Sequence, residues 1–231
     1  MAVKKMTVEH IMRRLEHFAD PKNAEGMVRF GISSKGTLGV PIPTLRMIAQ
    51  DIGKNHDIAL ELWETGIHEA RILAGYVDEP RCVTSGQLER WVKDFDSWDV
   101  CDQVCGNLFD RTPFAYDKAF EWSRKQDEFV KRAGFVMMAC LAVHDKKAKD
   151  PMFEQFFPII KREAHDERNF VKKAVNWALR QIGKRNPHLN DYAIVCANEL
   201  QNMDSKAAKW IAADAIRELT SKQVQLKFRK N

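Results

Sequence analysis

The stretch FDSWDVCDQVC, residues 95–105, places a tryptophan four residues before an aspartate within an apolar rhythm. On an α-helix, positions i and i+4 lie on one face, so Trp98 and Asp102 would be neighbours. Taken singly, Trp98 is typical of a packed core and Asp102 of a charged helix surface. Together they suggest chemistry, because a carboxylate among apolar positions needs a partner, an ion or a catalytic role.

A second group of candidates lies in residues 161–185, where eight Lys and Arg side chains stand against three Asp and Glu. The excess of this window equals the net charge of +5 of the whole chain. On a helix over 168–184, a tryptophan, Trp177, shares one face with several cations. The basic residues on this stripe and beside it are Lys172, Lys173, Arg180, Lys184 and Arg185.

A stripe that mixes cations with an indole fits neither a core nor an ordinary solvated helix face. In a core, the cations would lose their hydration at a high cost in free energy. On a fully solvated face, the apolar ring of Trp177 would be exposed to water. Duplex DNA suits both kinds of side chain, because phosphates bind the cations and a sugar or a base packs against the indole ring. Arg132 lies in a similar basic segment earlier in the chain, and Lys35, in the turn GISSKGTLGVPIP, offers a further phosphate contact.

The elements that position these residues are predicted to be helices. Apolar residues recur at helical spacing almost throughout, and no hairpin signal interrupts them. VKRAGFVMMACLA from Val130 and VKKAVNWALRQIG from Val171 repeat one pattern, which places Arg132 and Lys173 at equivalent positions. A period near 40 is typical of HEAT-type arrays, the alternative being an ordinary α-helical bundle. The predicted helices cover residues 6–18, 22–30, 43–54, 56–64, 67–77, 85–94, 98–109, 114–124, 127–143, 151–164, 168–184, 188–201 and 205–219.

Composition narrows the function classes. The 231 residues are 45% hydrophobic, enough for one sizeable core, and we expect a single domain over 1–231 with 227–231 as a disordered tail. The sequence contains no run of about 18 apolar residues and no signal peptide, so we expect a cytoplasmic protein without a membrane span. The odd count of five cysteines, with no CxxC, favours buried free thiols over a zinc site.

The segments SWDVCDQV, KRAGFVMMA and FVKKAVNWALRQIGKRNP resemble the AlkD-type DNA alkylation-repair glycosylases. The similarity extends from about residue 20 to 220. It implies an all-α superhelix of HEAT-like repeats with a concave DNA-binding groove. It also implies that the catalytic Trp–Asp pair falls on Trp98 and Asp102, the second groove tryptophan on Trp177, and the DNA-contacting arginine on Arg132.

The resemblance further implies excision of N3- and N7-alkylated purines that stay in the stack rather than being flipped out. An alkylpurine of this kind is already cationic, so it leaves as a neutral base and no general acid is required. Asp102 would stabilise the oxocarbenium-like deoxyribose and orient water, with Trp98 and Trp177 cradling the sugar. The expected partner is double-stranded DNA bound by a monomer, with no metal and no organic cofactor.

The sequence departs from this family at two polar positions near the N-terminus. A tyrosine and a glutamine that approach the DNA correspond here to Phe30 and Pro41. Two further hypotheses therefore stand beside the glycosylase. One is a non-catalytic HEAT-like module that binds damaged or branched DNA, for which a carboxylate at Asp102 is of no use. The other is an α-solenoid that binds an acidic protein, which the salt dependence of duplex binding would separate from both.

Overall fold

The computed structural model describes residues 6–228, and it divides into two compact units, Met1–Thr112 and Pro113–Asn231. Among the described residues every regular element is a helix. Unit 1 contains α1 (Val8–His17), α2 (Pro21–Val28), α3 (Ile42–Ile52), α4 (His56–Glu64), α5 (His68–Val77), α6 (Ser85–Lys93), α7 (Trp98–Asn107) and a 3₁₀ turn (Phe109–Arg111). Unit 2 contains α8 (Ala115–Trp122), α9 (Glu128–His144), α10 (Asp150–Glu154), α11 (Phe157–Glu163), α12 (Asn169–Gly183), α13 (Pro187–Gln201), α14 (Lys206–Leu219) and α15 (Lys222–Phe228).

The core of unit 1 forms around α5, which packs on α3, α4 and α7. Beside it, the indole rings of Trp63 and Trp91 stack with centroids 4.0 Å apart. The buried indole keeps its hydrogen bond, because Nε1 of Trp63 donates to Oδ2 of Asp94 at 2.8 Å. This aromatic cluster joins α4, which carries Trp63, to α6, which carries Trp91 and precedes α7.

The core of unit 2 forms around α9, which packs against α8 and α12. The helices α9 and α12 begin at the equivalent residues Glu128 and Asn169, which confirms the predicted repeat. Phe129 and Phe170, one residue further along each helix, place their ring centroids 5.6 Å apart. At Gly134 an added Cβ would lie 2.4 Å from the backbone nitrogen of Ser123, so only glycine allows α9 to approach α8 this closely.

The helix starts follow ordinary capping chemistry. Six helices begin after a polar residue whose side chain accepts a hydrogen bond from a backbone N–H of the first turn, as expected for an N-cap. These residues are Thr7, Asp20, Asn55, Thr84, Asn186 and Ser205.

Two predictions of helix extent are wrong. The single helix predicted over 151–164 is two helices, α10 and α11, separated at residues 155–156. Pro158, in the first turn of α11, has no backbone N–H and disfavours helical geometry before it, which explains the break. Residues 222–228, predicted as non-helical, form α15.

The prediction of an all-α HEAT-like repeat fold is confirmed, whereas a single domain over 1–231 stays a prediction. Lys227 and Phe228 end α15, and residues 229–231 of the predicted tail lie outside the described residues. None of the helices over residues 6–228 is long and apolar enough to cross a membrane.

Candidate functional site

Trp98 and Asp102 lie one turn apart at the start of α7. Trp98 is the first residue of this helix and follows Ser97, whose extended backbone ends the preceding segment. The indole Nε1 of Trp98 donates to the carbonyl oxygen of Phe30 at 3.1 Å, which fixes the plane of the ring. Asp102 is half-buried on the same helix. The placement of both side chains on one face is therefore confirmed, and their catalytic roles stay predictions.

The segment that carries Phe30 and Pro41 is held in place by the carboxylate of Glu69. Its Oε1 accepts from the backbone N–H of Gly39 at 2.7 Å and of Val40 at 3.2 Å, and Oε2 accepts from Leu38 at 2.9 Å. Gly39 has a φ of +80°, and a Cβ there would lie 2.1 Å from the carbonyl oxygen of Asp20. Gly39 therefore allows the backbone conformation of this turn, and a larger residue at position 39 would disrupt it.

A cleft of about 410 Å³ opens in unit 1 between this segment and the starts of α5 and α7. Most of its lining is apolar, and the side chain of Phe30 is 68% exposed at this surface. The lining residues are Asn23, Met27, Phe30, Ile32, Val40, Pro41, Ile42, His68, Glu69, Ile72, Trp98, Asp99 and Gln103. The replacements noted in the sequence, Phe30 and Pro41, therefore both contribute to one apolar surface beside Trp98.

A buried pair, His68 and Asp99, forms a polar part of this cleft. Nε2 of His68 lies 2.9 Å from Oδ2 of Asp99. Burial alone would lower the pKa of His68, but the hydrogen bond and the charge of Asp99 outweigh it and raise that pKa. Sequence reasoning missed this pair because the two residues are 31 positions apart and only Asp99 belongs to the segment SWDVCDQV.

In unit 2 the predicted stripe of α12 is present, but two of its cations are already paired. Arg180 forms a short ion pair with Glu218, and Nζ of Lys184 lies 2.5 Å from the same carboxylate. Burial would raise the pKa of Glu218, but Lys184 and Arg180 outweigh it and lower that pKa. The cations of this stripe thus meet an anion of their own unit, which the sequence analysis did not foresee.

The partners of α12 lie on α14, at positions that recur every four residues. Asp214 lies 3.6 Å from Nε of Arg180, and Trp210 is 42% exposed one turn earlier. Nζ of Lys172 sits 5.3 Å from the centre of the Trp210 ring, a cation–π distance. The spacing of Trp210, Asp214 and Glu218 was a signal in the sequence that could have identified this face of α14.

The remaining predicted contact residues differ in exposure. Lys173 and Lys35 are exposed, and Trp177 is half-buried. Arg132 is only 5% exposed, and its Nη1 donates to the carbonyl oxygen of Phe170 at 2.6 Å. The structure therefore presents Lys173 and Lys35 to solvent and holds Arg132 within the protein, while the DNA contacts of all these residues stay predictions.

Arg185 combines a structural role with a place on the surface. Its Nη1 donates to the carbonyl oxygen of Ala142 at 2.7 Å, and its guanidinium lies 3.9 Å from the centre of the Phe153 ring. Burial lowers the pKa of this side chain. Arg185 also lines a polar pocket of about 480 Å³ in unit 2, together with other cations. The basic residues of that pocket are Lys146, Lys184, Arg185 and Lys227.

Over residues 6–228 no group of three or more His, Cys, Asp or Glu side chains has the arrangement of a metal site. The cysteines Cys101 and Cys105, four residues apart on α7, are both buried.

Comparison with known proteins identifies the family to which these helices belong. A family model for DNA alkylation repair enzymes matches residues 11–219. The chain belongs to the DNA alkylation repair enzyme family. This membership confirms the resemblance on which the residues Trp98, Asp102, Trp177 and Arg132 were assigned. It covers both units of the molecule.

A solved structure supports the same fold. It comes from proteins described as a new family related to the HEAT-like repeat DNA glycosylases, with affinity for branched DNA structures. The two chains are 21% identical, with a TM-score of 0.77, and the match covers 92% of this chain and 95% of the other. At this identity the likeness establishes the fold of the repair-family chain and no more. No curated protein matches the chain.

Proposed function

We propose that this member of the DNA alkylation repair family is a DNA glycosylase that excises cationic N3- and N7-alkylated purines from duplex DNA without flipping the base. The observation that carries the proposal is the placement of Trp98 and Asp102 on one face of α7, in a chain of this repair family. The indole of Trp98 is held by its hydrogen bond to Phe30, so it is preorganised beside the carboxylate.

The chemistry of the lesion explains why one carboxylate is sufficient. The departing alkylpurine is cationic and leaves as a neutral base, so no proton needs to be delivered to it. Positive charge develops instead on the deoxyribose, where Asp102 stabilises it and orients the attacking water. An indole face against the same sugar adds about 0.5–2 kcal/mol of cation–π stabilisation, the role we assign to Trp98.

Binding to the DNA backbone is assigned to exposed cations of unit 2. Lys173 is exposed on α12, and Lys172 stands over the exposed ring of Trp210. The pocket lined by Lys146, Arg185 and Lys227 adds a polar, cation-rich surface that is large enough to accommodate a phosphate group. These features favour a polyanion over an acidic protein patch, because an indole among cations suits sugar and base as well as phosphate. We propose that the protein acts as a monomer in the cytoplasm.

A second function, a non-catalytic module for branched or damaged DNA, is favoured by a separate observation. Phe30 and Pro41 replace polar groups of the glycosylases with an apolar surface in the unit 1 cleft. The similar solved structure belongs to proteins described as having affinity for branched DNA. For such a module Asp102 would only repel phosphate, so Asp102→Asn would leave binding unchanged or strengthen it.

The two functions are separated by release of 7-methylguanine and 3-methyladenine from methylated duplex DNA, with spontaneous depurination as the blank. We expect release by the wild type, and a loss of about 10²–10³-fold in Asp102→Asn with duplex affinity retained. Asp99→Asn is unsuitable as a control because Asp99 is buried, so Asp96→Asn, an exposed carboxylate just before α7, serves instead. Salt-sensitive binding without release would leave the binding module as the function.

A further inference from the structure

The cleft of unit 1 has properties that the proposed glycosylase chemistry does not use. Its volume of about 410 Å³ falls within the range of roughly 300–1,000 Å³ that is typical of ligand pockets. It is mostly apolar with a few polar side chains in one place, which is the usual composition of such a pocket. It shares Trp98 with the proposed catalytic pair, but its polar group is His68 and Asp99 rather than Asp102.

One oxygen of Asp99 lacks a hydrogen-bond partner. Asp99 is only 8% exposed, and its Oδ2 pairs with Nε2 of His68 at 2.9 Å, whereas the buried Oδ1 accepts no hydrogen bond from the described residues. A buried carboxylate oxygen without a donor is costly and uncommon in a folded protein. Because Asp99 lines the cleft and the last torsion of an aspartate turns easily, an N–H group of a ligand is suited to complete it.

The charges of the cleft favour the same kind of ligand. Its titratable lining residues are His68, Glu69 and Asp99. Both oxygens of Glu69 already accept from the backbone of residues 38–40, which leaves Asp99 as the carboxylate of the lining that is available to a ligand. Even with His68 protonated, one cation faces two carboxylates. An anionic ligand is therefore disfavoured, and a neutral ring with an N–H donor is accepted.

Two aromatic residues supply the faces for such a ring. Phe30 is largely exposed, and Trp98 is half-buried with its indole N–H tied to the Phe30 carbonyl. Exposed aromatic side chains beside a polar acceptor are the arrangement with which proteins stack an unpaired base and read its edge. A flat ring with an amino group on its edge satisfies both the aromatic walls and Asp99.

We propose that the cleft formed by Phe30, Trp98, His68 and Asp99 binds an unpaired nucleobase that carries an exocyclic amino group. The base enters either as a free nucleoside or as an unpaired residue of a bulge or branch in DNA. The ring stacks on Phe30 and Trp98, and its amino group donates to the carboxylate of Asp99. This site is additional to the excision of paired alkylpurines and does not depend on it.

The test uses the full chain labelled with ¹⁵N and follows the indole N–H signal of Trp98. Adenosine and cytidine, which have exocyclic amino groups, are expected to shift this signal saturably. Purine riboside and pyrimidin-2-one riboside, which lack both the amino group and a ring N–H, are expected to bind about tenfold more weakly because the hydrogen bond to Asp99 is lost. Equal responses to all four nucleosides, or no response to any, would overturn the proposal.

Matched variants keep the test independent of folding. Phe30→Ala changes an exposed side chain, and we expect adenosine affinity to fall by about tenfold through lost stacking. Phe18→Ala removes another exposed aromatic of unit 1 that lies outside the cleft, and its affinity for adenosine should equal that of the wild type. Asp99→Asn leaves one acceptor oxygen, which His68 occupies, so this variant is expected to lose the preference for adenosine over purine riboside. Loss of affinity in both Phe variants to the same extent would contradict the site.

A second arm identifies the source of the base. A duplex with one unpaired adenine is compared with the same duplex carrying an unpaired purine base without the amino group and with the fully paired duplex. A shift of the Trp98 signal by the adenine bulge that exceeds the shift by the other two duplexes assigns the site to DNA, and a shift by adenosine without that excess assigns it to a free nucleoside. Excision of alkylpurines is measured separately on paired DNA, so its failure leaves this result unchanged.

Discussion

The helices α9 and α12 carry the same sequence pattern, yet they use it differently. Lys131 of α9 is 5% exposed, with Nζ 2.7 Å from Glu163 and 3.3 Å from Asp166. The equivalent Lys172 of α12 instead stands over the ring of Trp210 at the surface. Two lysines at one repeat position thus form a buried ion-pair network in one copy and a surface cation–π contact in the next.

The difference arises from what each helix packs against. α9 lies between α8 and α12 and is buried over almost its whole length, so its cations have to be neutralised inside the protein. α12 packs against α9 on one side and against α14 on another. On the α14 side, Arg180 is paired with Glu218 and Lys172 lies over the ring of Trp210. A repeat position therefore predicts the path of the backbone better than it predicts the role of the side chain.

The largest effect should come from removing the buried cation. Lys131→Met leaves Glu163 and Asp166 without their shared partner, and we expect a loss of about 3 kcal/mol in the free energy of unfolding. The matched variant Lys172→Met removes only a surface cation–π contact and should cost less than about 1 kcal/mol. Chemical denaturation of both variants measures the difference. Equal losses would mean that the two repeat positions are equivalent after all.

The close approach of α8 to α9 gives the next largest effect. Gly134→Ala places a Cβ 2.4 Å from the Ser123 nitrogen, and we expect a loss of about 1–3 kcal/mol in stability. The equivalent position in α12 is Val175, which shows that the restriction belongs to α9 alone. Gly26→Ala, inside α2 with nothing within 4 Å of the added Cβ, should instead stabilise by up to about 1 kcal/mol. A neutral Gly134→Ala would refute this account of the packing.

Acid should weaken the α9 network through Asp166. Burial opposes the ionisation of Asp166, but hydrogen bonds from Arg168 and Lys131 outweigh it and lower its pKa to about 2. A pKa below the ordinary value of 3.8 stabilises the fold fully above that value, and the stabilisation is lost as the pH falls towards 2.

The contribution should be about 2 kcal/mol, and Asp166→Asn should remove this part of the pH dependence of unfolding. The equivalent position of the following repeat is Ala207, so the network around α12 has no counterpart. If the wild type and Asp166→Asn lose stability in parallel between pH 5 and pH 2, measured by thermal unfolding, the assignment to Asp166 is wrong.

The smallest effect concerns the open face of α12. Lys173→Ala should weaken binding to duplex DNA only a few-fold and reduce the slope of log affinity against log salt by about 1. Lys161→Ala serves as the control because Lys161 is already paired with Glu199 at 2.7 Å. Affinity and salt slope are read from titrations at several salt concentrations. An unchanged slope in Lys173→Ala would remove Lys173 from the interface.

Local sequence pattern predicts much of this molecule. The helical period locates most of the helices, and the two similar segments that start at Val130 and Val171 identify the α9–α12 repeat. The spacing of Trp98 and Asp102 places both on one face of α7, as the structure shows. These features depend on neighbours within one or two turns or on plain repetition, which are the signals that a single sequence carries.

Contacts between distant segments cannot be predicted in the same way. The pairing of Arg180 with Glu218 spans 38 residues, and that of His68 with Asp99 spans 31. Whether a cation faces DNA or a carboxylate of its own fold depends on such contacts. The net charge of residues 161–185 therefore overstated the number of cations available to DNA. The sequence pattern also did not predict the cleft of unit 1.

The measurement that tests the proposed chemistry most directly compares a cationic with a neutral lesion in otherwise identical duplexes. One duplex carries 7-methylguanine and the other hypoxanthine, and single-turnover release of the base is followed with excess protein. Electrostatic stabilisation by Asp102, with no general acid, predicts release of 7-methylguanine and none of hypoxanthine above the blank. Release of both bases at similar rates would contradict it, because a neutral purine needs a proton to leave.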